Sequence, residues 1–177
     1  MISRIEKLNE IKKNQQVDAF FISSPSSVKY FSGYFFYFEY GSSPFQLVPA
    51  IMMVVPGQDI RLVLADNEMG QMPFIDPALD VQTYETYTFE KPPDAAGDCV
   101  KKLVDFILKN KLTASRIGIE RDALSFGIAQ MLKERFPLTE WINVGAALTR
   151  LKSIKDMDEI DCIRRAARSD ALLRSGR

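Results

Sequence analysis

Hydrophobic positions along this chain switch repeatedly between two periods. Ile5, Leu8 and Ile11 recur at helical spacing and predict an amphipathic helix at the head of the chain. Residues 17–23, VDAFFIS, form a short apolar run and predict a buried strand. Residues 24–33, SPSSVKYFSG, predict a short helix, entered through Ser24-Pro25 and stopped at Gly33. Two further apolar runs, 45–57 and 59–65, predict strands joined at Pro56-Gly57, a turn signal. Pro49 inside the first run predicts an edge strand or a bulge there, because proline cannot donate to a ladder. A short helix is expected over 66–73 and a strand of alternating character over 79–86.

The second half reads more simply. Asp94, at the end of the loop EKPPDAAGD, is placed to cap a long helix over 95–110, and SRIGIE (115–120) is a short strand. DALSFGIAQMLKERFP (122–137) is a helix closed by its proline, and TEWINVGAAL (139–148) a last strand running into a turn. Such alternation of strand and helix implies crossovers and a largely parallel region, while the middle of the chain holds an antiparallel hairpin. The sum is an α/β fold of three layers, α/β/α, with a mixed sheet covered by helices on both faces.

The end of the chain predicts one more helix, from Ser153 to about residue 172. Ser153 and Asp156 fit the Ser-x-x-Asp/Glu pattern of helix starts. Asp156, Asp158, Glu159 and Asp161 precede Arg164, Arg165, Arg168 and Arg174, a polarity that complements the helix dipole. Lys155–Glu159 and Asp161–Arg165 stand four apart, the spacing of helical ion pairs. Ile154, Met157, Ile160, Ile163 and Ala167 make an apolar stripe, and too few residues follow to cover it. The expectation is therefore a domain over 1–150, with 151–177 as a linker and the first helix of a domain lying beyond this chain.

Composition narrows the function. The 177 residues carry 23 Lys+Arg and 23 Asp+Glu, a balance that argues against a nucleic-acid or membrane-surface partner. No apolar run approaches the roughly 18 residues of a membrane span. The two cysteines, Cys99 and Cys162, have neither disulfide-framework nor zinc spacing, so a reduced, cytoplasmic setting is expected. Histidine is absent, which removes Ser-His and Cys-His arrangements and the commonest metal ligand. The carboxylates of 156–161 lack the central glycine and terminal glutamate of a calcium loop and read as a helix start. Gly118 and Gly127 form no phosphate-binding fingerprint; Gly118 is read as permitting close packing. Cys162, beside the stripe, is read as a packing residue. No catalytic residue and no metal ligand is assigned to this chain.

One stretch stands out chemically. YFSGYFFYFEYGSSPF, residues 30–45, holds nine of the chain's 19 aromatics, five of them consecutive over 34–38. A strand buries alternate residues, so such a run is either covered on both faces or presents aromatic surface to a partner or ligand. The candidates for a substrate wall or an interface are Tyr34, Phe35, Tyr37, Phe38, Glu39 and Tyr40. Glu39 is the single charge within the cluster, suited to pairing with a substrate amino group. A stand-alone peptide- or protein-binding module using residues 30–45 is the reading these aromatics support without any relative.

Three segments resemble those of a known family. VDAFFISSPSSVKYFSGY resembles the opening of creatinases, prolidases and aminopeptidases P, the pita-bread metallopeptidases. RIGIERDALSFGIAQMLKERFP resembles their later strand–helix unit. TRLKSIKDMDEIDCIRRAARSD resembles the junction where the N-terminal domain hands over to the catalytic one; its most specific part is Leu151-Lys152-Ser153 with Glu159-Ile160 and Ile163-Arg164-Arg165-Ala166. The resemblance implies a creatinase/prolidase-type N-terminal domain with a ribonuclease H-like motif. It implies no cofactor in this segment, a divalent metal pair (manganese, cobalt or zinc) in the domain beyond it, and a parent hydrolase resembling Xaa-Pro dipeptidase. The implied partners are the chain's own catalytic domain, a second copy in a homodimer, and a small peptide or amino-acid-like substrate. Creatinases place an arginine just after the aromatic stretch to hold the substrate carboxylate; here no Arg or Lys falls between Lys29 and Arg61, so a dipeptidase-like parent is implied over a creatinase.

Overall fold

A computed structural model of the chain describes residues 2–34, 50–86 and 94–175. Its centre is a six-stranded mixed sheet. The strands are β1 (Ala19–Ile22), β2 (Ile51–Val55), β3 (Asp59–Ala65), β4 (Asp80–Tyr84), β5 (Arg116–Ile119) and β6 (Glu140–Asn143), in the spatial order β4-β3-β2-β1-β5-β6. The pairs β1–β2 and β2–β3 are antiparallel; β1–β5, β5–β6 and β3–β4 are parallel. The hairpin between β2 and β3 turns at Gly57, whose φ of 80° favours glycine.

Pleating sorts the strand residues onto two faces. Ala19, Phe21, Ile51, Met53, Val63 and Ile117 point to one side and pack under α4 (Ala95–Lys109) and α5 (Phe126–Arg135). Phe20, Ile22, Met52, Val54, Leu62 and Leu64 point to the other. That side is covered by α1 (Ile2–Glu6), α2 (Leu8–Gln15), α3 (Pro25–Ser32) and α6 (Gly145–Ser153), giving the three-layer α/β/α arrangement. Local chemistry starts and stops these helices as their sequences require. The Asp94 carboxylate accepts from the Gly97 amide at 2.9 Å to open α4. The Ser24 hydroxyl caps α3 ahead of Pro25, and Gly33 ends it at φ 79°.

Several expectations need correction. The predicted first helix is two, broken at Lys7, with Ile5, Leu8 and Ile11 still sharing the buried face. Strand β2 (Ile51–Val55) is not an edge, since it lies between β1 and β3; Pro49 lies outside the described residues. The short helix expected over 66–73 is present as a 3-10 helix, Asp66–Phe74. The last strand ends at Asn143, and the supposed turn after it is the start of α6, anchored by Leu148 in the core. The final helix, α7 (Met157–Ser175), is opened by Asp156 rather than Ser153. Asp156 Oδ1 accepts from the Glu159 amide at 2.9 Å and Glu159 Oε2 accepts from the Asp156 amide at 3.1 Å, a reciprocal capping box one turn later than predicted. The expected pairs Lys155–Glu159 and Asp161–Arg165 do not form; Asp161 pairs instead with Arg164 at 3.2 Å. Cys162 is exposed, whereas Cys99 is buried in the core.

Gly118 shows what the close packing of β5 demands. A Cβ built there lies 2.9 Å from Val144 Cγ1 and 3.1 Å from Phe20 Cδ1. Both neighbours are buried, so neither has room to yield. Gly118→Ala is expected to destabilise the domain by about 1–3 kcal/mol through overpacking. A urea unfolding curve with an unchanged midpoint would show that Val144 can retreat.

Candidate functional site

The described residue among the aromatic candidates is Tyr34. It is buried in the core of the α1–α3 face. Burial pushes its phenol above the ordinary tyrosine value, and the Glu68 carboxylate, nearby and hydrogen-bonded to it, adds to the rise. Phe35, Tyr37, Phe38, Glu39 and Tyr40 lie outside the described residues.

The polar centre that the structure does build lies where the parallel strands end. Strand β5 runs out at Ile119 and places Glu120 beside the end of β1, where the chain turns from Ser23 into α3. Glu120 is 7% exposed. Its Oε2 accepts from the backbone amides of Ser23 at 2.9 Å and Ser24 at 2.8 Å. Its Oε1 accepts from the hydroxyls of Ser24 and Ser27, both at 2.6 Å. Four donors around one carboxylate are the compensation that a buried negative charge needs.

A cation reaches the same cluster from α6. Lys152 Nζ donates to the Ser27 hydroxyl at 2.7 Å and to the Ser26 hydroxyl at 2.9 Å. Ser27 thus accepts from Lys152 and donates to Glu120, relaying an ion pair through a hydroxyl. Burial lowers the Lys152 amine from its ordinary value; Glu120 pulls against the fall and Lys155 adds to it. Asn143, at the end of β6, closes the arrangement by accepting from the Gly145 amide at 3.2 Å where α6 begins.

Beside the cluster opens a cleft of about 710 Å³, with Ser24, Ser26, Glu120, Asn143, Arg150 and Lys152 among its lining residues. It sits at the carboxyl ends of β1, β5 and β6, the position where open α/β sheets commonly place ligands. Its chemistry is polar and structural. Both Glu120 oxygens are committed to donors of this chain; Asp122 also lines the cleft, but no group of three or more metal-ligating side chains forms among the described residues. A dinuclear metal centre does not fit these residues.

The cluster gathers the three segments that carried the family resemblance. Ser24 and Ser27 come from the first, Glu120 from the second and Lys152 from the third, Ser27 and Lys152 standing 125 positions apart in sequence. Ser24 was legible as a helix cap and Lys152 as part of the junction motif. Their meeting on Glu120 was not, because nothing local to RIGIE marks its last residue as buried.

The sequence profile of the Creatinase/Prolidase N-terminal domain matches residues 4–154. The chain belongs to this family. Among solved structures, the chain resembles the N-terminal domain of Xaa-Pro dipeptidase from Lactobacillus brevis. That structure aligns at a TM-score of 0.61 and 15% identity, covering 82% of this chain and 98% of the other. X-Pro aminopeptidase from Thermotoga maritima MSB8 aligns at a TM-score of 0.63 and 17% identity, over 89% of this chain but 38% of that one. At such identities the likeness establishes the fold. By sequence, an uncharacterized peptidase of Staphylococcus aureus (strain bovine RF122 / ET3-1) is 25% identical over 169 residues, 94% of this chain. The chain spans 41% of the length of that peptidase. No helix among the described residues is long and apolar enough to cross a membrane.

Proposed function

We propose that this creatinase/prolidase N-terminal domain is the noncatalytic part of a metal-dependent hydrolase resembling Xaa-Pro dipeptidase, acting in the cytoplasm on small peptides. In such a parent, a divalent metal pair held outside this segment would supply Lewis-acid activation for peptide hydrolysis. The present domain contributes a dimer surface and, through residues 35–40, an aromatic wall to the partner's active site, with Glu39 set to pair with a substrate amino group; Tyr34, buried in the core, takes no part in that wall. The observation that carries this reading is the family match over 4–154 in a chain spanning 41% of a related peptidase.

Three experiments test this reading. In the gene downstream of Arg177, an open frame encoding a histidine and four carboxylates at a metal centre supports it, and a stop codon selects the stand-alone binding module instead. The chain by itself, incubated with Xaa-Pro dipeptides and manganese, cobalt or zinc, is expected to release no proline. Turnover by a preparation verified as pure overturns the noncatalytic assignment. In the longer protein, Glu39→Gln is expected to raise KM for a dipeptide with a free amine while dimerisation holds, and an unchanged kcat/KM removes that role from Glu39.

A further inference from the structure

Helix α7 leaves the domain across a very short corner. α6 ends at Ser153, Ile154 adopts an extended conformation, and the capping residue of α7 is already Asp156. Ile154, Met157 and Ile163 are 71%, 65% and 55% exposed, so apolar packing on the sheet domain does little to hold the helix in place. Rotation about one or two backbone bonds at 154–155 would swing α7 as a rod.

Charged contacts cross this corner from the other end of the chain. Arg4 on α1 lies with its guanidinium carbon 4.7 Å from the centre of the Tyr30 ring. It donates to the Tyr30 carbonyl at 3.2 Å and stands 3.8 Å from Glu159 Oε1. Lys7, at the break between α1 and α2, donates to the Tyr30 hydroxyl at 3.3 Å and stands 3.6 Å from Asp156 Oδ2. Tyr30 is itself 9% exposed and its ring meets Phe31 edge-on at 4.9 Å, so both cations are aimed from a buried support. Asp156 and Glu159 are the two members of the α7 capping box, each holding the other's amide. Isolated surface pairs contribute little, but a network with shared, preorganised anchors is the situation in which they count.

We propose that the α1–α2 corner is a latch: Arg4 and Lys7, braced on Tyr30, grip the capping pair Asp156/Glu159 and set the direction in which α7 leaves the sheet domain. The break at Lys7 then has a purpose, since it turns the lysine toward α7 while Ile5 and Leu8 stay buried. The latch belongs to the chain of 177 residues and holds whether or not a catalytic domain follows.

Cys162 makes the test direct. It is exposed on α7, whereas Cys99 is buried, its thiol pushed up to about 12 by burial and by Asp98, so a nitroxide reagent attaches to the former. A second label at Asp105→Cys, on the opposite face of the sheet, gives a pulsed-resonance distance that reports the swing of α7. One narrow distribution is expected for the otherwise unaltered chain. Arg4→Gln with Lys7→Gln keeps the side-chain stems and is expected to widen the distribution at least about twofold, as is salt near 1 M, which shortens the screening length to about 3 Å. A distribution that stays narrow under both treatments, or that is already broad at low salt, overturns the latch. The salt arm leaves Arg4 and Lys7 unaltered, so misfolding of the Arg4→Gln/Lys7→Gln variant cannot decide the outcome.

Discussion

Glu120→Ala is expected to lower the unfolding free energy of this domain by about 3 kcal/mol, a large fraction of the 5–15 kcal/mol that domains typically possess. The substitution removes one acceptor group and strands several donors at once. The Ser23 and Ser24 amides and the Ser27 hydroxyl lose the oxygen they point at, and Lys152 loses the negative charge that compensates its burial. The neighbouring cleft admits water to some of these groups, which keeps the cost below that of a sealed cavity. Urea unfolding followed by circular dichroism measures the loss. Glu120→Gln retains one acceptor oxygen and is expected to cost less than the alanine. Equal stability of the alanine variant and the parent chain would mean that the cluster is a surface decoration and not the clasp joining three distant segments.

Phe21→Ala is expected to be comparably damaging, at roughly 3–5 kcal/mol, for an apolar reason. Phe21 is fully buried in the face of the sheet under α4 and α5. Its ring meets Phe106 edge-on at 6.4 Å and Trp141 at 5.9 Å, so it ties β1, α4 and β6 together. Truncation leaves a cavity between two rigid aromatic neighbours that have little freedom to collapse into it, which places the cost toward the upper part of the range. Thermal or urea unfolding checks the number. A loss below about 1 kcal/mol would show that the helical layer closes over the gap.

The two variants probe different parts of the fold and differ in how much a sequence reader could anticipate. Phe21 was visible in advance: it sits in the middle of an apolar run too short for a helix and flanked by turn chemistry, and its burial follows. Glu120 was not, since a glutamate after a strand is ordinarily solvated. Only the parallel pairing of β5 with β1, which brings their carboxyl ends side by side, converts it into an acceptor for the start of α3.

What the sequence determined by itself was everything governed by local spacing and local chemistry. Two periods of hydrophobicity located the strands and most helices, Ser24-Pro25 and Asp94 fixed helix starts, Gly33 fixed a stop, and Pro56-Gly57 fixed a hairpin. Those features depend on neighbours within a few residues, and such neighbours are printed side by side. The family was legible in the same way, since its three segments are contiguous motifs. Tertiary structure decided the rest. It made β2 an interior strand by pairing it with β1 on one side and β3 on the other. It turned residues 145–153 into a helix because Leu148 finds a place in the core, overriding a weak local signal. It moved the cap of α7 to Asp156, where Lys7 and Arg4 await both members of the box. Above all, it brought Ser27, Glu120 and Lys152 together. The physical reason is common to these cases: a buried charge or a marginal helix is decided by partners about a hundred residues away, and sequence order carries no record of that distance in space.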